Sequence, residues 1–200
     1  MLFRSVNQPS YNPNTKRLGG SAARRNRAVT DVLEPGSTMK PFTVAVGLQT
    51  ELYAPQSTID TNPGTLRVGR HTVRDHRNYG NIDLATVIRK SSNVGVSQIA
   101  LKVPSERMWL TLSRLGFGRT TGSGFPGESP GILTHFERWG DVHRATLAYG
   151  YGLSVTPLQL AQAYVVLAND GMAQSLSFQR IDRPRQRRRV LDREIGRAHV

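Results

Sequence analysis

Two prolines and a glycine bracket a single turn of chain in EPGSTMKP, residues 34–41, and leave it few conformations. Proline lacks an N–H and costs about 3 kcal/mol inside a helix, but in a first turn the loss is small because those N–H groups have no intrahelical partner. Pro41 therefore predicts a helix that begins at Ser37, with Pro35-Gly36 as its approach and an apolar run to about residue 48. Positions i and i+3 share a helix face, so the same constraint puts Lys40 within reach of Ser37. A hydroxyl is a weak nucleophile until a base takes its proton, and a lysine does so when burial or a neighbouring cation lowers its pKa. A helix N-terminus adds partial positive charge beside a developing oxyanion. Alone, a Ser-x-x-Lys is expected about once by chance in a chain of this size, and a capping serine beside a surface lysine would account for it.

The rest of the chain reads as mostly helix. Residues 5–14 are turn-rich, and residues 29–33 suit a short extended run. Residues 66–68 and 71–73, joined by Gly69-Arg70, predict a hairpin. Residues 83–103 carry two short helical patterns around Ser91-Ser92-Asn93, and a further helix over 106–115 stops at Gly116. A Gly- and Pro-bearing loop fills 116–140, and a helix follows over 141–149. Thr156 caps the next helix, Pro157 opens it and Gly171 closes it. That helix is apolar nearly all round, which predicts burial. After Gln174 no element is visible. A second polar constellation, KSSNVGV at 90–96, lies between two helical patterns. Ser-x-Asn also occurs at Ser5-Val6-Asn7 and Ser10-Tyr11-Asn12, so the tripeptide alone carries little.

Ser-x-x-Lys and Ser-x-Asn together belong to the signature of penicillin-binding proteins and class A β-lactamases. The surrounding text, RNRAVTDVLEPGSTMKPFTV, RKSSNVGVSQIAL, RWGD and RATLAYGYGLSVTPLQLAQAY, resembles the division-specific class B penicillin-binding proteins, from about Val6 to Leu176. The resemblance implies an α+β fold of the penicillin-binding protein and serine β-lactamase type. It also implies a peptidoglycan D,D-transpeptidase that cross-links stem peptides through a serine acyl-enzyme during septal wall synthesis and is trapped by β-lactams. In that reading Ser37 is the acylated nucleophile and its backbone N–H half of the oxyanion hole. Lys40 is the general base, Ser91 a proton relay, and Asn93 the side chain that holds Lys40 and the substrate amide. Tyr149 to Gly152 is read as packing. No cofactor is implied. The implied partners are D-Ala-D-Ala stem peptides, β-lactams and division proteins that include a septal glycosyltransferase. The implied location is a periplasmic catalytic domain on a single inner-membrane span.

The family's third motif, Lys-[Ser/Thr]-Gly, is absent, since no lysine follows Lys102. The expectation is a partial transpeptidase domain over 1–176, with the helical part present, much of the antiparallel sheet and the anchor missing, and little activity alone. The terminal EIGRAHV resembles a translated sequencing adaptor, so residues 177–200 are expected to be a basic tail of truncated or foreign origin.

Of the formal charge of +13, the body carries little: residues 31–173 hold thirteen basic and eleven acidic residues. A basic nucleic-acid binder would rest on the chain ends alone. A non-catalytic scaffold does not require the Ser37, Lys40, Ser91 and Asn93 set. A D,D-carboxypeptidase is a further alternative, as is a serine β-lactamase, which needs a water-activating carboxylate; Glu128 and Glu137 are the candidates in the 116–140 loop. The histidines, residues 71, 76, 135, 143 and 199, show no metal-ligand spacing.

Overall fold

Pro41 lies in the first turn of an α-helix, the position its missing N–H permits. In the computed structural model, which describes residues 6–12, 14, 21–178, 187–193 and 195, two single turns, α1 (Ser21–Arg24) and α2 (Arg27–Thr30), come first. The extended run predicted over 29–33 is shorter than expected. The Val29 and Thr30 N–H groups donate to the Asn26 carbonyl, which takes both into α2; the chain turns extended at Asp31, and Leu33 bridges Val155. Gly36–Met39 then form a 3-10 turn continuous with α3 (Lys40–Gln49).

Short strands β1 (Thr58–Asp60), β2 (Thr65–Val68), β3 (His71–Arg74) and β4 (Asn81–Asp83) follow. The β2–β3 hairpin is the predicted one, in the register Leu66↔Val73 and Val68↔His71. Around it β1 pairs antiparallel with β4, with Thr58 opposite Asp83. Helices α4 (Leu84–Arg89), α5 (Asn93–Lys102) and α6 (Ser105–Leu115) come next. After the 116–140 loop come α7 (Asp141–Leu147) and α8 (Pro157–Ala168). Two strands, β5 (Met172–Gln174) and β6 (Arg187–Arg189), follow α8. Among the described residues the architecture is α+β, with three two-stranded antiparallel sheets around a helical centre.

Helix α3 is the hub. It packs on α4, α5 and α6. Met39, Phe42, Val44, Ala45 and Val46 are buried with Val96, Ile99 and Ala100 of α5 and Met108, Leu112 and Leu115 of α6. Burying one such side chain fully contributes about 1.5–3 kcal/mol, so the start of α3 has a firm base. Helix α7 is tied to α5 by Arg144, whose Nη2 donates to the carbonyls of Ala100, Leu101 and Val103 at 2.9, 2.9 and 2.8 Å. These are the carbonyls a helix end leaves without partners, and a cation there also suits the helix dipole. The far end of α5 is thereby fixed, and its near end carries Asn93.

Helix α8 starts with a capping box: Thr156 Oγ1 accepts from the Gln159 N–H at 3.1 Å, and Gln159 Oε1 accepts from the Thr156 N–H at 2.7 Å. Gln159 is fully buried, and its Nε2 donates to the Arg119 and Pro130 carbonyls at 2.6 and 2.7 Å. One side chain thus caps a helix and anchors the 116–140 loop. Replacing Gln159 with leucine is expected to cost about 2–4 kcal/mol, because it orphans buried carbonyls and an N–H together; urea unfolding of the variant beside the wild type measures it.

Burial of α8 is one-sided, contrary to its nearly uniform apolar sequence. Leu158, Gln159, Ala163, Val166 and Leu167 are buried, while Leu160 is half-buried and Tyr164 exposed. Helix α8 packs on α2, α6 and β5, and on its exposed side the Tyr164 ring meets Phe42 of α3 edge-on, at 4.9 Å between centroids. The region after Gln174 also differs from its sequence reading. Strand β6 pairs with β5 in the register Met172↔Arg189, and Val190 and Leu191 insert into the core behind it. Three consecutive arginines hide this strand from any apolar alternation, since its pairing is carried by backbone. Gly171 makes it possible: its φ is +77°, and a Cβ there would overlap the Leu191 carbonyl. Residues 179–186 lie outside the described residues, and of the terminal EIGRAHV only Ile195 lies within them.

Candidate active site

Lys40 is 2 % exposed, although a lysine is almost never buried without a partner. Its partner is Ser91: Nζ donates to the Ser91 carbonyl and lies 2.7 Å from Ser91 Oγ. Burial pulls the Lys40 ammonium down from 10.5 to about 8, and the Asp75 carboxylate works against that shift. Near neutrality roughly a tenth of Lys40 is then unprotonated. A neutral amine donating to the Ser91 carbonyl keeps a lone pair for a proton.

The Ser91 backbone follows from two helix ends meeting. At the close of α4 the Ser92 N–H donates to the Val87 carbonyl at 2.9 Å and the Ser91 N–H to the Ile88 carbonyl at 3.0 Å. This is the Schellman pattern, which puts the residue after the cap in the left-handed region and usually selects glycine there. Ser91 takes that position with φ +55°. The next residue, Ser92, is the N-cap of α5, its Oγ accepting from the Gly95 N–H at 2.8 Å. Squeezed between the two caps, Ser91 turns both its carbonyl and its hydroxyl to Lys40. A non-glycine residue held in this region stores roughly 1 kcal/mol or more, and such strain gathers at functional sites.

Ser37 is exposed and one residue into the 3-10 turn, on the same helix as Lys40. The turn is clamped from several directions. The Gly36 N–H donates to the Gly150 carbonyl at 3.1 Å, Glu34 Oε1 accepts from the Gly152 N–H at 2.9 Å, and the Tyr164 hydroxyl donates to the Thr38 carbonyl at 2.8 Å. Gly150 has φ +90°, and a Cβ on it would overlap Gly36. The 149–152 tract thus packs directly under the approach to Ser37. Alanine at Gly150 is expected to cost about 2 kcal/mol or more through strain and overlap, and thermal melting reads it.

The structure brings Lys40 and Ser91 together and sets Ser37 one turn away. It does not join every predicted pair. Among the described residues no hydrogen bond links Ser37 Oγ to Lys40 Nζ. Asn93 Nδ2 donates to the Arg74 carbonyl at 3.0 Å rather than bonding Lys40. The two loop glutamates are engaged elsewhere. Glu128 accepts from Thr121 and Ser123, and Glu137 pairs with His135 at 3.3 Å. Sequence reasoning missed Asp75, which gives no local signal, and Glu34. Ser92 was findable from the preference for serine at helix N-caps.

Comparison with known proteins decides the family. The penicillin binding protein transpeptidase domain matches residues 3–197. The chain belongs to this family. It is 43% identical over 199 residues to "Peptidoglycan D,D-transpeptidase FtsI" of Escherichia coli strain K12, covering 100% of this chain and 34% of that protein. It is 35% identical over 189 residues to the FtsI of Buchnera aphidicola, covering 94% of this chain and 33% of that one. The solved apo structure of the TP domain from Burkholderia pseudomallei penicillin-binding protein 3 superposes with a TM-score of 0.84 at 37% identity, over 88% of this chain and 54% of that one. The fold is therefore that of a penicillin-binding transpeptidase domain. The chain spans about a third of the length of its FtsI relatives and about half of the solved domain.

Proposed function

We propose that this chain supplies the acylating half of the active site of a septal peptidoglycan D,D-transpeptidase. The observation that carries the reading is the buried Lys40, drawn toward neutrality and held at Ser91, one turn from Ser37 on the helix they share. Ser37 Oγ attacks the carbonyl between the two terminal D-alanines of a stem peptide, and Lys40 takes its proton directly or through Ser91. The proton passes to the departing D-alanine amine, and an ester to Ser37 remains. An amine from a neighbouring stem peptide then displaces Ser37, which recovers its proton. β-Lactams enter the same first step, and their ring opens without a leaving group. By the family resemblance, Asn93 at the start of α5 contacts the substrate amide. The oxyanion donor on this chain is the Ser37 N–H, and one such donor is worth about 10²–10³ in rate.

By its resemblance to the division-specific class, the domain is periplasmic and tethered by one inner-membrane span in the longer protein, working beside a septal glycosyltransferase. Among the described residues no helix is long and apolar enough to cross a membrane.

The test is a hybrid in which residues 6–176 replace the matching segment of the E. coli relative. Fluorescent penicillin is expected to label the hybrid one-to-one at Ser37, to leave a folded Ser37→Ala hybrid dark, and to label the 200-residue chain barely. A folded hybrid that stays dark, or a label on another residue, refutes the assignment.

A further inference from the structure

Asp75 reaches the candidate site from outside both motifs. It follows the last residue of β3, and its own N–H donates to the Gly64 carbonyl at 3.0 Å, which pins it to the turn before β2. Its carboxylate spans the start of α5. Oδ2 accepts from Ser92 Oγ at 2.6 Å, and Oδ1 accepts from the Val94 N–H at 3.0 Å. Ser92 Oγ in turn accepts from the Gly95 N–H, and the neighbouring Arg74 carbonyl accepts from Asn93 Nδ2. Residues 74 and 75 together hold side chains or backbone of Ser92, Asn93 and Val94. Between this grip and the end of α4 lies Ser91, in its left-handed conformation with Lys40 on its carbonyl.

We propose that Asp75 is a positioning residue that fixes the Ser91–Asn93 turn against Lys40. This deepens the acyl-transfer reading and rests on it. Ser91 presents two oxygens to Lys40 only while its left-handed backbone is kept, and the α4 end alone would favour glycine there. The bonds from Asp75 make the first turn of α5 over-determined, which is how a strained residue persists. A charged acceptor makes hydrogen bonds roughly twice as strong as a neutral one. The carboxylate also acts on Lys40 through its charge, so hydrogen bonding and charge are separable by substitution. Asparagine keeps both contacts, its Oδ1 accepting from Val94 and its Nδ2 donating to Ser92, but it removes the charge.

Amide hydrogen exchange and ¹³Cε titration of the lysines, both on the 200-residue chain, test this without any activity. In D75A the Val94 and Gly95 amides are expected to exchange at least about tenfold faster than in the wild type. In D75N their protection is retained, while the Lys40 titration midpoint falls below that of the wild type, because the carboxylate that raises it is gone. D75S, too short to reach Ser92 and Val94 together, is the second variant should D75A not fold, and is expected to lose the same protection. Wild-type exchange in D75A or D75S overturns the inference. So does a D75N that loses protection as fully as D75A, or one whose Lys40 midpoint does not move. None of these outcomes depends on whether the hybrid acylates, so failure here is distinct from failure of the functional reading.

Discussion

Methionine at Lys40 is expected to slow penicillin acylation of the hybrid by about 10³-fold, within the range a general base supplies, while leaving a fold whose stability no longer depends on this lysine's proton. The second effect follows from linkage. In the unfolded chain Lys40 titrates at its ordinary 10.5, and in the folded chain burial brings it to about 8. Between those values the unfolded state binds more protons, so stability rises with pH. The cost of burying the charge is fully present below about pH 8 and disappears toward pH 10.5. Its size is on the order of 3 kcal/mol at neutral pH. Lys40→Met removes that cost but orphans the Ser91 carbonyl, which offsets about 1–3 kcal/mol of the gain. The two proteins should therefore be close in stability at pH 7, and the wild type should gain on the variant as the pH rises to 10. Urea unfolding at pH 7, 8, 9 and 10 measures the difference. Parallel curves would mean that Lys40 is not buried as a suppressed cation.

Substitution of Ser91 is expected to split stability from chemistry. Ser91→Ala and Ser91→Gly both remove the hydroxyl 2.7 Å from Lys40, and both should lower acylation by about 10²-fold or more. Their stabilities should differ in a fixed order. At φ +55° alanine keeps the strain of the left-handed region, and glycine removes it, so Ser91→Gly should be the more stable by about 1 kcal/mol. Equal stability of the two variants would show that the strain is absent. Full acylation by either would remove Ser91 from the proton path.

These expectations draw on what was legible in the sequence and on what was not. The face shared by Ser37 and Lys40 is legible because it is local: one proline in a first turn and one i,i+3 spacing determine it. The hairpin is legible for the same reason, as its register follows from a two-residue turn. The contact that completes the site is not local. Ser91 meets Lys40 across 51 residues and Asp75 meets Ser92 across 17, and no periodicity in one segment encodes its partner in another. Strands β1 and β4 are three residues each, too short for alternation to register. Strand β6 is three exposed arginines, with no apolar alternation to mark it. The apolar circumference of α8 misleads for a different reason: composition reports what a helix can bury, whereas its neighbours decide what it does bury.

The state of one amine, Lys40 Nζ, decides whether Ser37 can be activated. Lys16, Lys40, Lys90 and Lys102 are the four lysines of the chain, so ¹³Cε-labelled lysine gives a spectrum of four signals, with Lys40 assigned by its loss in K40R. The prediction is one signal titrating at about 8 and no loss of that shift until the fold is unfolded by urea. A Lys40 signal that titrates at the ordinary lysine value of 10.5 in the folded chain would contradict it.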